Sequence, residues 1–374
     1  MRLDKLDLVR GLAALAVFLG HFRGFLLVEQ AKLPKTNVFI DLFYTLTGFG
    51  HQAVVVFFVL SGFLIGGAVH GRFKAQRWSF ADYALRRLTR LWVVLLSALV
   101  FTLLWDVLGS WLSGGVGYDG RFYELNHLGP SLSKPARHGG LVFLGNAFFL
   151  QTIFVPSYGT NGPLWSLANE FWYYVMFPLG FAACSQSMGR WIRLLCASLL
   201  LLIGFILPFG LVAGGLIWLM GYGAFLLTRS RVLQWTHSNA FFFAAILAFS
   251  GILLWSRFRE LPYSDFLIGV PFACLLPKLA ADVGTNHWWR NAGRHLGEMS
   301  YSLYLFHFPC IAFLAFGLFK GKQWLPNLTG FAVYLGVAVL VFGWAHLAWW
   351  LFERRTDTVR SKLKSLSCFP RRTL

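Results

Sequence analysis

The sequence predicts an all-α integral membrane protein: a bundle of about ten transmembrane helices with both termini cytoplasmic. Three observations carry this. Of 374 residues, 57% are hydrophobic and only 13% charged, about half the roughly 25% charged share of a soluble domain. Apolar segments long enough to cross a hydrocarbon layer of ~30 Å recur from one end of the chain to the other. With ten crossings, 23 Lys/Arg fall on the side of the termini and 10 on the other side, the asymmetry that the positive-inside rule requires and that an odd number of spans would destroy.

The spans are expected at 8–28, 51–69, 88–112, 164–184, 191–207, 210–227, 239–255, 261–281, 298–319 and 328–351. The first is interrupted by Arg10, His21 and Arg23 and lacks a small-residue cleavage signal, so it reads as a retained span rather than a signal peptide. The second is followed by Arg72, Lys74, Arg77, Arg86, Arg87 and Arg90, a cytoplasmic loop by charge. The longest loop, 113–163, falls outside. Within it the apolar run 141–156 is short and broken by Asn146 and Gln151, which fits a re-entrant or surface helix better than an eleventh crossing. Residues 1–355 form the predicted membrane domain. The remainder, 356–374, is a basic cytoplasmic tail with Arg360, Lys362, Lys364, Arg371 and Arg372.

The net charge of +18 is explained by these loops, and no nucleic-acid partner is inferred. Cys184, Cys196, Cys274, Cys310 and Cys368 show neither CxxC nor metal-ligand spacing. They read as packing residues, and no metal is predicted.

Chemistry is expected where ionisable groups enter the bilayer, because they are costly there and face a bundle interior or an aqueous cavity. Arg10 and His21 are eleven residues apart, close to three helical turns, so they share one face and are separated by about 16 Å along the axis. Asp7, one turn before Arg10, is placed to pair with it. Arg10 near the cytoplasmic surface is open to two readings, a snorkelling anchor or a functional cation. Arg23, nearer the outer surface, reads as an anchor. His51, His127 and His138 read as solvated.

The stretch LDLVRGLAALAVFLGH, ending at His21, resembles the opening of the acyltransferase 3 family, whose first helix bears an Arg-x10-His motif. FFVLSGFLIGG from Phe57, LRRLTRLW from Leu85, GPLWSLANEFWYY from Gly162 and MSYSLYLFHFP from Met299 resemble four further family motifs, in the family's order. One departure is Val93, where the family often has a proline. Another is the lack of the soluble esterase-like domain that many bacterial members carry after their spans, which leaves acyl transfer to the membrane domain or to a partner transferase.

The resemblance implies transfer of an acyl group, commonly acetyl, from acyl-CoA to a hydroxyl of a carbohydrate-containing acceptor, in the inner membrane. Arg87 and Arg90 are then expected to bind the donor's phosphates, with Arg10 beside the path of the pantetheine arm. His21 is the expected general base. Glu170, counted from the outer end of its span, is expected at the depth of His21, orienting it or binding the acceptor, with a structural pair with a nearby Arg or Trp as the other reading. Ser61 is open to close packing through the Gly62-x-x-x-Gly66 pattern, to donor contact, or to a nucleophile's role if a base adjoins it. Tyr304 and His307 share a face with Ser300 and are expected to support the site. A polytopic transporter, or a shuttle passing acyl groups across the membrane, is the competing reading, and a homo-oligomer is compatible with both.

Overall fold

The computed structural model describes residues 3–123, 127–230, 232–258, 264–281 and 287–366. Among these there is no β-strand, and 15 α-helices follow one another. We number them α1 (Asp4–Leu26), α2 (Val38–Leu46), α3 (Gly50–Ser61), α4 (Gly67–Lys74), α5 (Phe80–Ser113), α6 (Gly140–Ala147), α7 (Leu164–Cys184), α8 (Arg190–Ile206), α9 (Phe209–Arg229), α10 (Asn239–Phe258), α11 (Ser264–Ala281), α12 (His287–Glu298), α13 (Ser300–Ala312), α14 (Leu328–Leu351) and α15 (Thr356–Leu366). The expected start of the eighth span, Leu261, and the tail residues Cys368, Arg371 and Arg372 lie outside the described residues.

Eight of the described helical runs are long and apolar enough to cross a membrane. The two other expected spans are helices as well. Asn169 and Glu170 lower the hydropathy of α7, and α8 has 17 residues, about 25 Å of helix. A glycine seam joins α3 and α4 to α9. A Cβ at Gly62 would lie 1.8 Å from the Trp218 carbonyl oxygen, and one on Gly221 would lie 1.8 Å from that of Val59. The turn Gly62–Gly66 is a π-helix, so the Gly62-x-x-x-Gly66 pattern serves backbone contact.

The innermost helix is α13, with 89% of its apolar window buried, against 6% for the peripheral α10. It packs against α1, α5 and α14. At the end of the bundle that holds Arg10, α12 lies along α1, and Arg290 and Arg294 both reach Asp4, at 2.9 and 3.5 Å. α5 has 34 residues, about 51 Å of helix, and extends beyond a hydrocarbon layer. Its course is uninterrupted through Val93, as the missing proline allows.

The run 141–156 does not cross. α6 has eight residues, and the carbonyl of its last residue, Ala147, accepts a bond of 2.8 Å from Trp92, in the middle of α5. The chain then climbs back along α5 to Thr160 and Asn161, so this segment is re-entrant. Irregular backbone at that depth must be satisfied by protein. Asn146 donates to the carbonyls of Val142 and Pro156 and accepts from Tyr158 N, while Gln151 donates to Leu164 O.

Candidate functional site

Two contacts tie α1 to its neighbours, one to the last turn of α12 and one to α13. Arg10 donates to Gly297 O at 2.8 Å through Nη2 and meets Asp7 at 3.0 Å. About 16 Å further along α1, His21 Nδ1 stands 2.8 Å from His307 Nε2, with the rings 10° from parallel. Gly297, in the last turn of α12, and His307, in α13, are ten residues apart across the turn at Met299, and α1 packs along both helices, which brings the histidines to one level.

The hydrogen bonds assign the protons. His307 is fully buried, and its Nδ1 lies 2.8 Å from the carbonyl oxygen of Leu303, which only accepts. Nδ1 of His307 therefore carries its hydrogen, and the Nε2 of the neutral ring is an acceptor. His21 must then donate through Nδ1, which leaves the Nε2 of its neutral form unprotonated. Protonation of that atom leaves the bond to His307 unchanged, so His21 can take up and release a proton without rearrangement of its partner.

Below this pair lies a cavity of about 180 Å³ whose wall includes Arg10, Arg87, Arg90, Ser61, Glu170, Tyr174 and Tyr304. Its cations differ in state. Arg90 is paired at 2.6 Å with Glu353, which is 3% exposed and also accepts from the amide and hydroxyl of Ser302. Arg87 has no carboxylate partner among the described residues. Its guanidinium stacks over the Tyr83 and Tyr174 rings at 5.7 and 5.8 Å, and its buried Nε meets no acceptor. Arg86 points away, to Asp82 at 2.9 Å. Arg87 and Arg90 thus share the cavity without forming a pair of equally free cations.

Ser61 has no histidine or carboxylate beside it. It donates to the Tyr174 hydroxyl at 3.2 Å and accepts from Trp218 Nε1 at 3.0 Å, while Tyr174 donates to Glu170. Glu170 therefore does not orient His21. The Ser166 hydroxyl, one turn before it, meets that of Tyr304 at 2.7 Å, which places Glu170 about 10 Å nearer the Arg10 end than His307 by helical rise. The depth count fails because α7 does not start at the surface. Leu164 is fully buried, and Asn161 just before it donates to Leu305 O at 3.0 Å.

His21 does not line the cavity. Tyr304 stands between, its ring on the cavity wall and 6.3 Å from that of His307. Three partners escaped the sequence reading. Tyr174, one turn from Glu170, was open to an i,i+4 count. Glu353, among the basic residues after the last span, gave no local signal. His138, expected to be solvated, bonds at 2.8 Å to the fully buried Asp106, which also holds the amide and hydroxyl of Thr160. His51 is exposed, as expected, and meets Asp265 at 2.8 Å.

A family model described as an acyltransferase domain matches residues 3–349. The chain belongs to the acyltransferase 3 family. No curated protein and no solved structure matches it. Membership makes this a multi-pass membrane acyltransferase, and the acyltransferase 3 motifs fall around the geometry above. The first helix supplies Arg10 and His21, the second span Ser61, the third Arg87 and Arg90, the WSL segment Ser166 and Glu170, and the late motif Tyr304 and His307.

Proposed function

We propose that this acyltransferase moves an acyl group, acetyl in the simplest case, from acyl-CoA to a hydroxyl of a glycan, glycolipid or glycosylated metabolite. The observation that carries the reading is His21, whose tautomer leaves Nε2 able to accept a proton deep in the bundle. With α7 and α8 counted as crossings, the charge asymmetry puts the Arg10 end in the cytoplasm of a cell with an inner membrane. Acyl-CoA is found on that side.

Coenzyme A is a polyanion, and the fit rests on Arg87, whose Nε lacks an acceptor among the described residues. The cavity would take the thioester end of the pantetheine arm, with the nucleotide at the cytoplasmic mouth. Arg10 and Arg90, each held by a carboxylate, contribute position and residual positive potential. Glu170 and Ser61 supply polar contacts to the arm. Tyr304 must swing aside for the thioester to reach His21, and its hydroxyl bonds to Ser166 and Pro163 are the ones that break.

In the transfer step, His21 Nε2 takes the proton of the acceptor hydroxyl as its oxygen attacks the thioester carbonyl. A C–O bond forms, the C–S bond breaks, and the proton passes to the departing thiolate. Purified protein given labelled acetyl-CoA and a membrane glycan extract is expected to yield a labelled ester, and His21→Ala to lose about 10²–10⁴-fold in rate. Undiminished transfer by His21→Ala would overturn the assignment. A wild-type protein that acylates nothing without a second transferase would favour the shuttle.

A further inference from the structure

Among the described residues, four arginines keep a buried Nε that no acceptor meets: Arg23, Arg87, Arg257 and Arg294. Arg294 reaches Asp4 through Nη2, and Arg87 belongs to the cavity above. The other two converge at the opposite end of the bundle. The Arg23 guanidinium, in the last turn of α1, lies 5.0 Å from the centre of the Tyr44 ring. Arg257, in the last turn of α10, lies against the turn that follows Tyr44. There a Cβ on Gly48 would meet Arg257 Nε at 2.6 Å and the Tyr44 carbonyl oxygen at 3.0 Å.

Both guanidiniums thus border the Tyr44–Gly48 turn. Acidic groups on the adjoining segments are engaged elsewhere, Glu29 with Lys32 at 3.2 Å, Asp41 with Gln30 at 2.9 Å and Asp265 with His51 at 2.8 Å. An anchoring arginine needs only a route for its head group to water. It does not need a second arginine directed at the same turn, where the two repel. Such a pair fits an anion that accepts from both, and phosphoryl oxygens match guanidinium geometry with two parallel bonds.

We propose that Arg23 and Arg257 form a binding site for a phosphate ester or diphosphate. Resting on the function proposed above, the group belongs to the acceptor. Arg23 is two residues beyond His21, about 3 Å further along the axis and roughly 200° around it, so the two side chains leave opposite faces of α1 near its outer end. The acceptor class that carries such a group is a phosphorylated or diphosphate-linked glycan, whose chain passes round the end of α1 to bring a hydroxyl to His21.

The test uses full-length protein in phosphatidylcholine nanodiscs with saturating coenzyme A to occupy the cavity, titrated calorimetrically with inorganic pyrophosphate. Saturable binding is expected, with Arg23→Gln and Arg257→Gln each weakening it about tenfold or more, while retained coenzyme A affinity reports an intact fold. Repeating the titration with phosphatidylglycerol in the disc identifies the source. Competition assigns the site to a lipid headgroup, and unchanged affinity assigns it to a soluble or glycan phosphate. No saturable binding in either disc, or equal binding by wild type and the double variant, would overturn the site. Because no turnover is read, a protein that binds pyrophosphate through these residues yet transfers no acyl group would refute only the proposed function.

Discussion

Replacing His307 with alanine removes the acceptor of the His21 Nδ1–H bond, a contact of 2.8 Å against a fully buried ring. A buried donor left unsatisfied costs about 1–3 kcal/mol, and each ~1.4 kcal/mol is tenfold in rate. The expected loss in kcat is therefore about 10–100-fold, smaller than the loss from His21→Ala. His307 does not line the cavity, so KM for acyl-CoA should change less than about threefold. The assay is steady-state transfer by purified enzyme, together with ¹⁵N NMR of labelled histidine to read the His21 tautomer. Residues that act as a unit are not additive, and the double variant should be no slower than His21→Ala. Full kcat in His307→Ala, an Nε2-protonated His21 in the wild type, or additive losses in the double variant would each refute the reasoning.

Other substitutions separate binding from support. Arg87→Gln should raise KM for acyl-CoA by about tenfold or more at unchanged melting temperature, through loss of a charge-assisted contact worth about 1.5–3 kcal/mol. Glu353→Ala strands the Arg90 charge and two Ser302 donors, and should cost about 2–4 kcal/mol in thermal unfolding, near the low end of a broken buried pair because Arg90 is 37% exposed. Gly62→Ala should destabilise by about 1–3 kcal/mol through overpacking against Trp218, against the ~1 kcal/mol that alanine gains over glycine in a helix. Asp106→Ala frees Thr160 and His138, and should raise hydrogen exchange across 138–163 while α1 and α13 stay protected.

Much of the helical frame was legible because span length and loop charge are set by the bilayer rather than by tertiary detail. Arg10 and His21 were legible for a related reason: a three-turn spacing fixes a shared face whatever surrounds it. The partners were not. His21 pairs with His307, although His307 is seven residues into α13 and His21 is seventeen into α1. Counting from helix starts fails when a helix begins inside the bundle, as α13 does at the fully buried Met299 and α7 at Leu164. Glu170 was misplaced for the same reason. Arg90 looked like a free cation because Glu353, its counterion, is 263 residues away in sequence.

The hairpin-like insertion from α6 to the start of α7 also constrains how the protein is made. Its Asn146, Gln151, Thr160 and Asn161 are all buried, and their partners lie within the segment or on α5, α7 and α13. In lipid, Gln151, Thr160 and Asn161 would lack these partners until α7, α5 and α13 are in place. The insertion is therefore expected to settle only together with α5, α7 and α13. The cavity wall includes Tyr301 and Tyr304 of α13, so the cavity takes its shape only after most of the sequence has been made.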